Sequence, residues 1–236
     1  MKNSLICLIL LFYGSILWAQ ENPMANAPPD NLVQRYLSET KEFAILYTGK
    51  TMVPYDRPFA NHPYFESNVY TKGTICYNRV VYPDVYMRLD LYRDELSVVF
   101  AEKPYHVVPE KEKFDYAILN GSTFVLSVSE NDPNTKFLML LQNGKYPVVR
   151  KYKLTIYEDL KSGTRFAVRT FKAQIQYAVY VNGVPYTVKS KKSVLKLFAD
   201  RKKELNEFAK QHKLDFRQQP EQSIIALVNY YEMLTQ

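Results

Sequence analysis

Between Asp84 and Tyr92 the chain alternates strictly: Val85, Met87, Leu89 and Leu91 are apolar, while Tyr86, Arg88, Asp90 and Tyr92 carry polar groups. Successive side chains of a strand point to opposite sides, so this pattern predicts a half-buried strand with one core face. It belongs to a longer run, Gly73 to Phe100, in which Asn78-Arg79, Pro83-Asp84 and Arg93-Asp94 interrupt segments rich in Val, Tyr, Ile and Leu. Turn residues spaced that closely leave room for strands rather than helices, and short connections favour antiparallel neighbours. The fold is therefore organised around a sheet.

The same rhythm continues to Lys189. Runs Phe114–Leu119, Thr123–Ser127, Lys136–Leu141, Lys145–Tyr157, Arg165–Phe171, Gln174–Val181 and Val184–Lys189 are separated by Asn120-Gly121, Asp132-Pro133-Asn134, Asn143-Gly144, Ser162-Gly163 and Asn182-Gly183. Asn143-Gly144 and Asn182-Gly183 are the strongest hairpin signals, because a type I′ turn needs positive φ at both central positions. About ten to twelve strands follow from this spacing, too many to lie flat. The expected fold class is mainly β, an antiparallel meander curling into a barrel, half-barrel or sandwich.

The flanks read differently. Residues 1–19, MKNSLICLILLFYGSILWA, have the layout of a signal peptide: Lys2, an apolar run to Trp18, and small Ala19 before the cleavage point. Residues 20–30 form a polar, proline-bearing lead-in expected to be mobile. Residues 31–189 form the β-rich domain, opening with a short helix over Asn31–Phe43 capped by Asp30, with Ala44–Tyr47 as its end or a first strand. Thr51–Ser67, with three prolines and five rings counting His62, is an ordered loop that packs its rings locally. Residues 190–236 form a C-terminal helical hairpin on the same domain. Ser190 or Ser193 starts a helix to about His212, and Pro220 starts a second whose apolar face carries Ile224, Leu227, Val228, Tyr231 and Leu234.

Removing the leader removes Cys7 and leaves Cys76 as the one thiol, so the mature chain closes no internal disulfide and its core must carry stability. Cys76 sits on an expected strand and reads as a buried, inert thiol. The formal net charge of +7 is concentrated: between Lys189 and Lys213 there are nine Lys or Arg and three Asp or Glu. Basicity confined to one helix argues against nucleic acid and towards anionic envelope polymers or lipid head groups.

Tyr47-x-Gly49, His62-Pro63-Tyr64-Phe65, Gly73-x-x-x-Tyr77, Tyr82-x-Asp84-Val85 and Asp90-Leu91-x-x-Asp94-Glu95-Leu96 stand in one pattern. Leu197-Phe198 before Lys202-Lys203-Glu204-Leu205, and Tyr230-Tyr231 near the end, extend it. The pattern resembles a family of uncharacterised exported β-rich proteins from Bacteroidota-type bacteria, over most of the mature chain. The resemblance implies export and a β-rich domain with a helical end, and it carries no reaction, ligand or catalytic residue with it.

No catalytic constellation emerges from the residues. G-x-S-x-G, phosphate-cradling and dinucleotide patterns are missing from the sequence. His62, His106 and His212 have no spacing that makes a metal site. Asp84 and Asp90 lie some 20 Å apart along an extended strand, against the roughly 5 to 10 Å that paired glycosidase carboxylates need. Neither a cofactor nor a metal is expected. The candidate ligand-binding residues are Tyr86, Arg88, Asp90 and Tyr92 on the polar strand face, where Arg88 can reach Asp90, together with His62. The candidate anionic-surface contacts are Lys191, Lys192, Arg201, Lys202 and Lys203.

The expected protein is an exported, non-catalytic binding or envelope-associated structural module. It works in the periplasm or outside the cell, with outer-membrane association as one placement, and is not an integral membrane protein after signal cleavage. Its candidate partners are envelope polysaccharide, lipid or protein. Two alternatives come from other classes: a carrier of a lipophilic ligand in a half-barrel, and a hydrolase acting on envelope glycans.

Overall fold

The computed structural model describes residues 45–99, 106–127, 135–159 and 167–235, all within the compact unit Glu42–Gln236. The leader, the lead-in and the helix expected over Asn31–Phe43 lie outside the described residues. A 3-10 turn, Ile45–Tyr47, precedes eleven strands: β1 (Gly49–Thr51), β2 (Thr71–Tyr77), β3 (Val80–Asp90), β4 (Glu95–Val99), β5 (His106–Pro109), β6 (Phe114–Leu119), β7 (Ser122–Leu126), β8 (Phe137–Gln142), β9 (Val148–Asp159), β10 (Val168–Val181) and β11 (Val184–Val188). Three helices follow, α1 (Lys191–Leu197), α2 (Lys202–Gln211) and α3 (Pro220–Leu234).

All eleven strands belong to one sheet in the order β1-β5-β4-β3-β2-β6-β7-β8-β9-β10-β11, with every pairing antiparallel. From β6 onward it is the expected meander. Before that, β2 to β5 form a meander of their own, and the chain then crosses to the far side of β2 to begin β6. The edge strands β1 and β11 do not pair, so the sheet is open, and neither a closed barrel nor a two-sheet sandwich forms among the described residues.

The sheet nevertheless rolls. Across a flat sheet four spacings of roughly 4.8 Å separate β5 from β6, yet only Glu110 to Lys113 joins them. The Tyr77 hydroxyl, on the enclosed side, accepts a hydrogen bond from the Glu110 N–H at 3.1 Å. Ile75, Tyr77, Met87, Leu89, Val98 and Leu119, each at most 2% exposed, fill the space inside this roll. The alternation that marked β3 holds from Val85 to Leu89, with Val85, Met87 and Leu89 buried, and ends at Asp90, which is buried although it lies on the polar face.

Four local expectations are corrected. Pro83-Asp84 is a bulge inside β3 rather than a turn before it: Gly73 pairs with Val85 and Ile75 with Tyr82, leaving two residues opposite Thr74 and Asp84 at φ 55°. Gly73 is required there, since a Cβ would collide with the Ile118 carbonyl oxygen. Asn143-Gly144 is not a two-residue turn, because β8 and β9 are joined by the five residues Asn143 to Pro147. That loop takes its shape from α3: the Glu232 carboxylate accepts the Lys145 N–H at 2.8 Å and lies against Gly144. Arg165–Phe171 and Gln174–Val181 are not separate strands: from Val168 the chain is one continuous β10, since Lys172-Ala173 contains no turn former. The type I′ geometry appears instead at Asn78-Arg79, Asn120-Gly121 and Asn182-Gly183, all with two positive φ values between directly paired residues.

The fourth correction concerns the tail. The single helix expected to His212 breaks at Phe198, where φ is −110° and ψ 58°, and a 3-10 turn, Ala199–Arg201, redirects it. The break turns α2 back, so that Leu205 and Ala209 join Val194 and Phe198 in one core over Val148, Val179 and Val188. Ser190 caps α1 reciprocally with Ser193, and Pro220 takes the first position of α3, as expected. Within this core Phe198 stacks on Tyr231 at 3.9 Å and Tyr146 meets both rings edge-on.

Candidate binding surface

The loop from Met52 to Tyr70 is where the expected polar face of β3 acquires its surroundings. Its backbone continues along β3: the Phe65 N–H donates to the Leu89 carbonyl at 2.9 Å, and the Leu91 N–H to the Pro63 carbonyl at 3.0 Å. This turns Phe65 into the core beside Phe124 and leaves Tyr64 paired with Asp90. Farther back, the Asn61 amide accepts the Phe171 N–H at 2.8 Å and donates to the Phe171 carbonyl at 2.9 Å, standing in for a strand partner on the edge of β10. Phe59 stacks on Phe171 at 4.2 Å. The expected local packing of the loop's rings holds for Tyr55 with Phe59 and His62 with Tyr64, whereas Tyr55, Phe59 and Phe65 also pack on Phe171 and Phe124 of the sheet, which pins the loop to it.

Arginines interleave with those rings. The Arg88 guanidinium lies 3.7 Å from the Tyr64 ring centre and 4.4 Å from that of Tyr70, a sandwich that places a cation on two aromatic faces. Its Nη1 donates to the Asn68 carbonyl at 2.6 Å, and its Nε is buried without a partner. Tyr70 in turn bonds Ser97 at 3.0 Å and lies 4.9 Å from the His106 ring. Arg93 covers Tyr55 at 3.9 Å and Arg169 covers Phe59 at 4.5 Å.

The carboxylates are committed to holding backbone and loops. Asp90, 6% exposed, accepts the N–H groups of Tyr92 and Arg93 at 2.9 Å each and the Tyr55 hydroxyl at 2.7 Å. Burial, then the Asp90 hydrogen bond and charge, push the Tyr55 hydroxyl far above the usual tyrosine value. Asp94 accepts the Phe137 N–H at 3.0 Å and pairs with Lys111 and, at 3.9 Å, Lys136. Glu95 pairs with Lys50. Asp94, Glu95, Lys50 and Lys111 share a cleft of about 580 Å³ with Glu110 and Glu112.

Of the residues singled out from the sequence, Arg88 and His62 meet through Tyr64, on which the His62 ring stacks at 6.0 Å. Tyr86 lies on the same strand face under Lys72, its direct cross-strand neighbour. Tyr92 turns instead towards Phe171, 5.2 Å away. The contact expected between Arg88 and Asp90 is not made, because Tyr64 and Tyr70 enclose the guanidinium and the turn amides claim the carboxylate. Tyr55, Tyr64 and Tyr70 were not singled out. The aromatic content of their loop was the available signal, and its lack of periodicity hid the pairings.

The basic residues divide. Arg201 pairs with Glu204 at 3.4 Å. Lys202 and Lys203 line a cleft of about 520 Å³ with Asp200 and Glu204, and Lys192 is exposed on α1. Lys191 faces a separate cleft near the end of α2. Cys76 is buried as expected; its thiol is pushed up to about 11 by burial, then by the charge and hydrogen bond of Asp115, 3.6 Å away. Among the described residues no three His, Cys, Asp or Glu side chains converge as metal ligands, and no helix is long and apolar enough to cross a membrane.

No protein-family model, curated protein or solved structure matches the chain. Its class is therefore defined by architecture: an open eleven-stranded antiparallel sheet with a helical end and an arginine–tyrosine rim.

Proposed function

We propose that the chain is an exported, non-catalytic binding or envelope-associated module that recognises its partner through the outer face of β3 and the loop over it. The observation that carries this is Arg88: a cation held rigidly between Tyr64 and Tyr70, with no carboxylate paired to it among the described residues, beside exposed His62. Aromatic edges around a fixed guanidinium suit an envelope glycan, lipid head group or peptide with acidic or hydroxyl groups. The carrier alternative asks for an apolar lumen, and the enclosed side of the first strands is occupied by core side chains.

The hydrolase alternative draws on the cleft where Asp94 and Glu95 meet. Lysines and a backbone amide engage those carboxylates, which leaves them poorly placed to direct a water or a glycosidic oxygen.

A thermal-shift screen against envelope polysaccharides, anionic lipids and peptides tests the proposal. A true ligand at about 100 times its Kd adds about 2.7 kcal/mol to wild-type stability and has a much smaller effect on Arg88→Gln and Tyr64→Ala. A ligand-induced shift that both variants retain moves the site elsewhere, and turnover of a glycan abolished by Asp94→Asn establishes the hydrolase instead.

A further inference from the structure

The cleft at the far end of the helical cap has a charge pattern unlike the other two. It has a volume of about 530 Å³ and is lined by Lys191 from α1, Lys210 from α2, and Lys213 and Arg217 from the turn before α3. None of these four cations has an ion pair within 4 Å among the described residues, and they face one acid, whereas the cleft at Lys50 and Lys111 sets three cations against four acids and the cleft at Lys202 and Lys203 two against two. The one acid on the cleft, Asp215, uses its carboxylate internally, accepting the N–H groups of Arg217 at 2.8 Å and Gln218 at 3.0 Å.

The negative end of α2 accounts for Lys210 and Lys213, but not for Lys191 and Arg217, which arrive from other segments. Convergence from three segments is not what a merely solvated helix face produces. Lys210, Lys213 and Arg217 are exposed, and half-buried Leu214 and Phe216 lie between them. Several outward cations around an apolar strip match the phosphate layer of a lipid surface, which meets all of them at once; an enclosed small molecule would need walls on every side.

We infer that this cleft is a docking site for the phosphate groups of an anionic lipid surface. It gives envelope association, proposed above, a surface separate from the Arg88 rim, so the two ideas fail independently. The cations act as point charges, and each contributes about fivefold to partitioning at low salt.

The test is co-sedimentation of the full chain with vesicles of phosphatidylcholine alone and with 30% phosphatidylglycerol, at low and at physiological salt, with pyrophosphate titration alongside. Binding is expected only to the anionic vesicles, weakening with salt. Lys210→Gln combined with Arg217→Gln lowers it about 25-fold, while Lys202→Gln combined with Lys203→Gln, an equal charge change at the neighbouring cleft, lowers it less than threefold. Circular dichroism melts confirm that both double variants fold. Equal losses from the two double variants reduce the effect to net charge and overturn the site. Failure to bind anionic vesicles overturns the lipid assignment, and pyrophosphate binding without vesicle binding assigns the cleft to a soluble phosphate instead. Arg88→Gln separates the two surfaces: vesicle binding that survives it belongs to this cleft, and vesicle binding lost with it belongs to the rim and overturns the assignment made here.

Discussion

The helical end and the loop-covered rim both bury aromatic rings against the same sheet, yet they are held by different means. At the helical end Tyr146, Phe198 and Tyr231 pack on one another and on aliphatic neighbours, with Tyr231 donating to Asp200 at 3.2 Å at the margin of the cluster. At the rim most rings come with a polar companion, Tyr55 with Asp90 and Arg93, Phe59 with Arg169 and Tyr64 with Arg88, while Asn61 holds the Phe171 backbone and Phe65 alone turns into the core. The difference follows from backbone chemistry. A helix satisfies its own N–H and C=O groups, so its apolar face can be dry; a loop that packs must find partners for each buried backbone group from side chains.

That contrast predicts where substitution does most damage and through which term. Phe198→Ala empties a space among rings and costs about 3 to 5 kcal/mol, read as a lowered urea midpoint; a loss below about 1 kcal/mol places the apolar weight of the helical end elsewhere. At the rim, Asp90→Ala strands two turn amides and the Tyr55 hydroxyl, at about 2 to 3 kcal/mol. Asp90→Asn keeps an oxygen for Tyr92 and Arg93 and offers its amide to Tyr55, whose hydroxyl can rotate to accept. It costs about 1 kcal/mol. If the asparagine variant falls as far as the alanine variant, charge rather than acceptor geometry holds the turn.

The same contrast explains what could be read from the sequence. Period-two alternation exposed β3, and Asn-Gly at 182–183 marked a real type I′ turn, because both are local statements about backbone and side-chain direction. Pro220 and Ser190 marked helix starts for the same reason. Asn143-Gly144 misled because Glu232, nearly ninety residues on, shapes that loop. Asp90 looked like a solvent-facing member of an alternating strip, but it begins the turn at 91–94 and lies under Tyr55. The rim and the Lys191 cleft assemble from segments distant in the chain, and no periodicity within either segment announces its partner.

Among the described residues one ion pair joins the sheet to the helical end: Arg150 of β9 with Glu221 in the first turn of α3, each less than a third exposed. Glu221→Gln weakens that joint by about 1 kcal/mol at low salt and less at high salt, checked by denaturation at two ionic strengths. A salt-independent loss points to packing around Tyr152 rather than charge.

The smallest effect is visible only in alkali. Burial raises the Cys76 thiol from 9.0 to about 11, with Asp115 adding to it, and burial with Asp200 raises the Tyr231 hydroxyl from 10.0 to about 12. Both groups are neutral acids whose charged forms the fold disfavours. The Cys76 contribution is therefore fully present below pH 9 and lost as pH rises through about 11; that of Tyr231 is present below pH 10 and lost through about 12. The sheet group titrates first. Iodoacetamide should alkylate folded Cys76 with a midpoint near pH 11 and the urea-unfolded chain near pH 9. The tyrosinate absorbance difference between wild type and Tyr231→Phe should appear about one pH unit later. Alkylation of the native protein with a midpoint near 9 means that Cys76 is reached by solvent and that burial does not hold its thiol neutral.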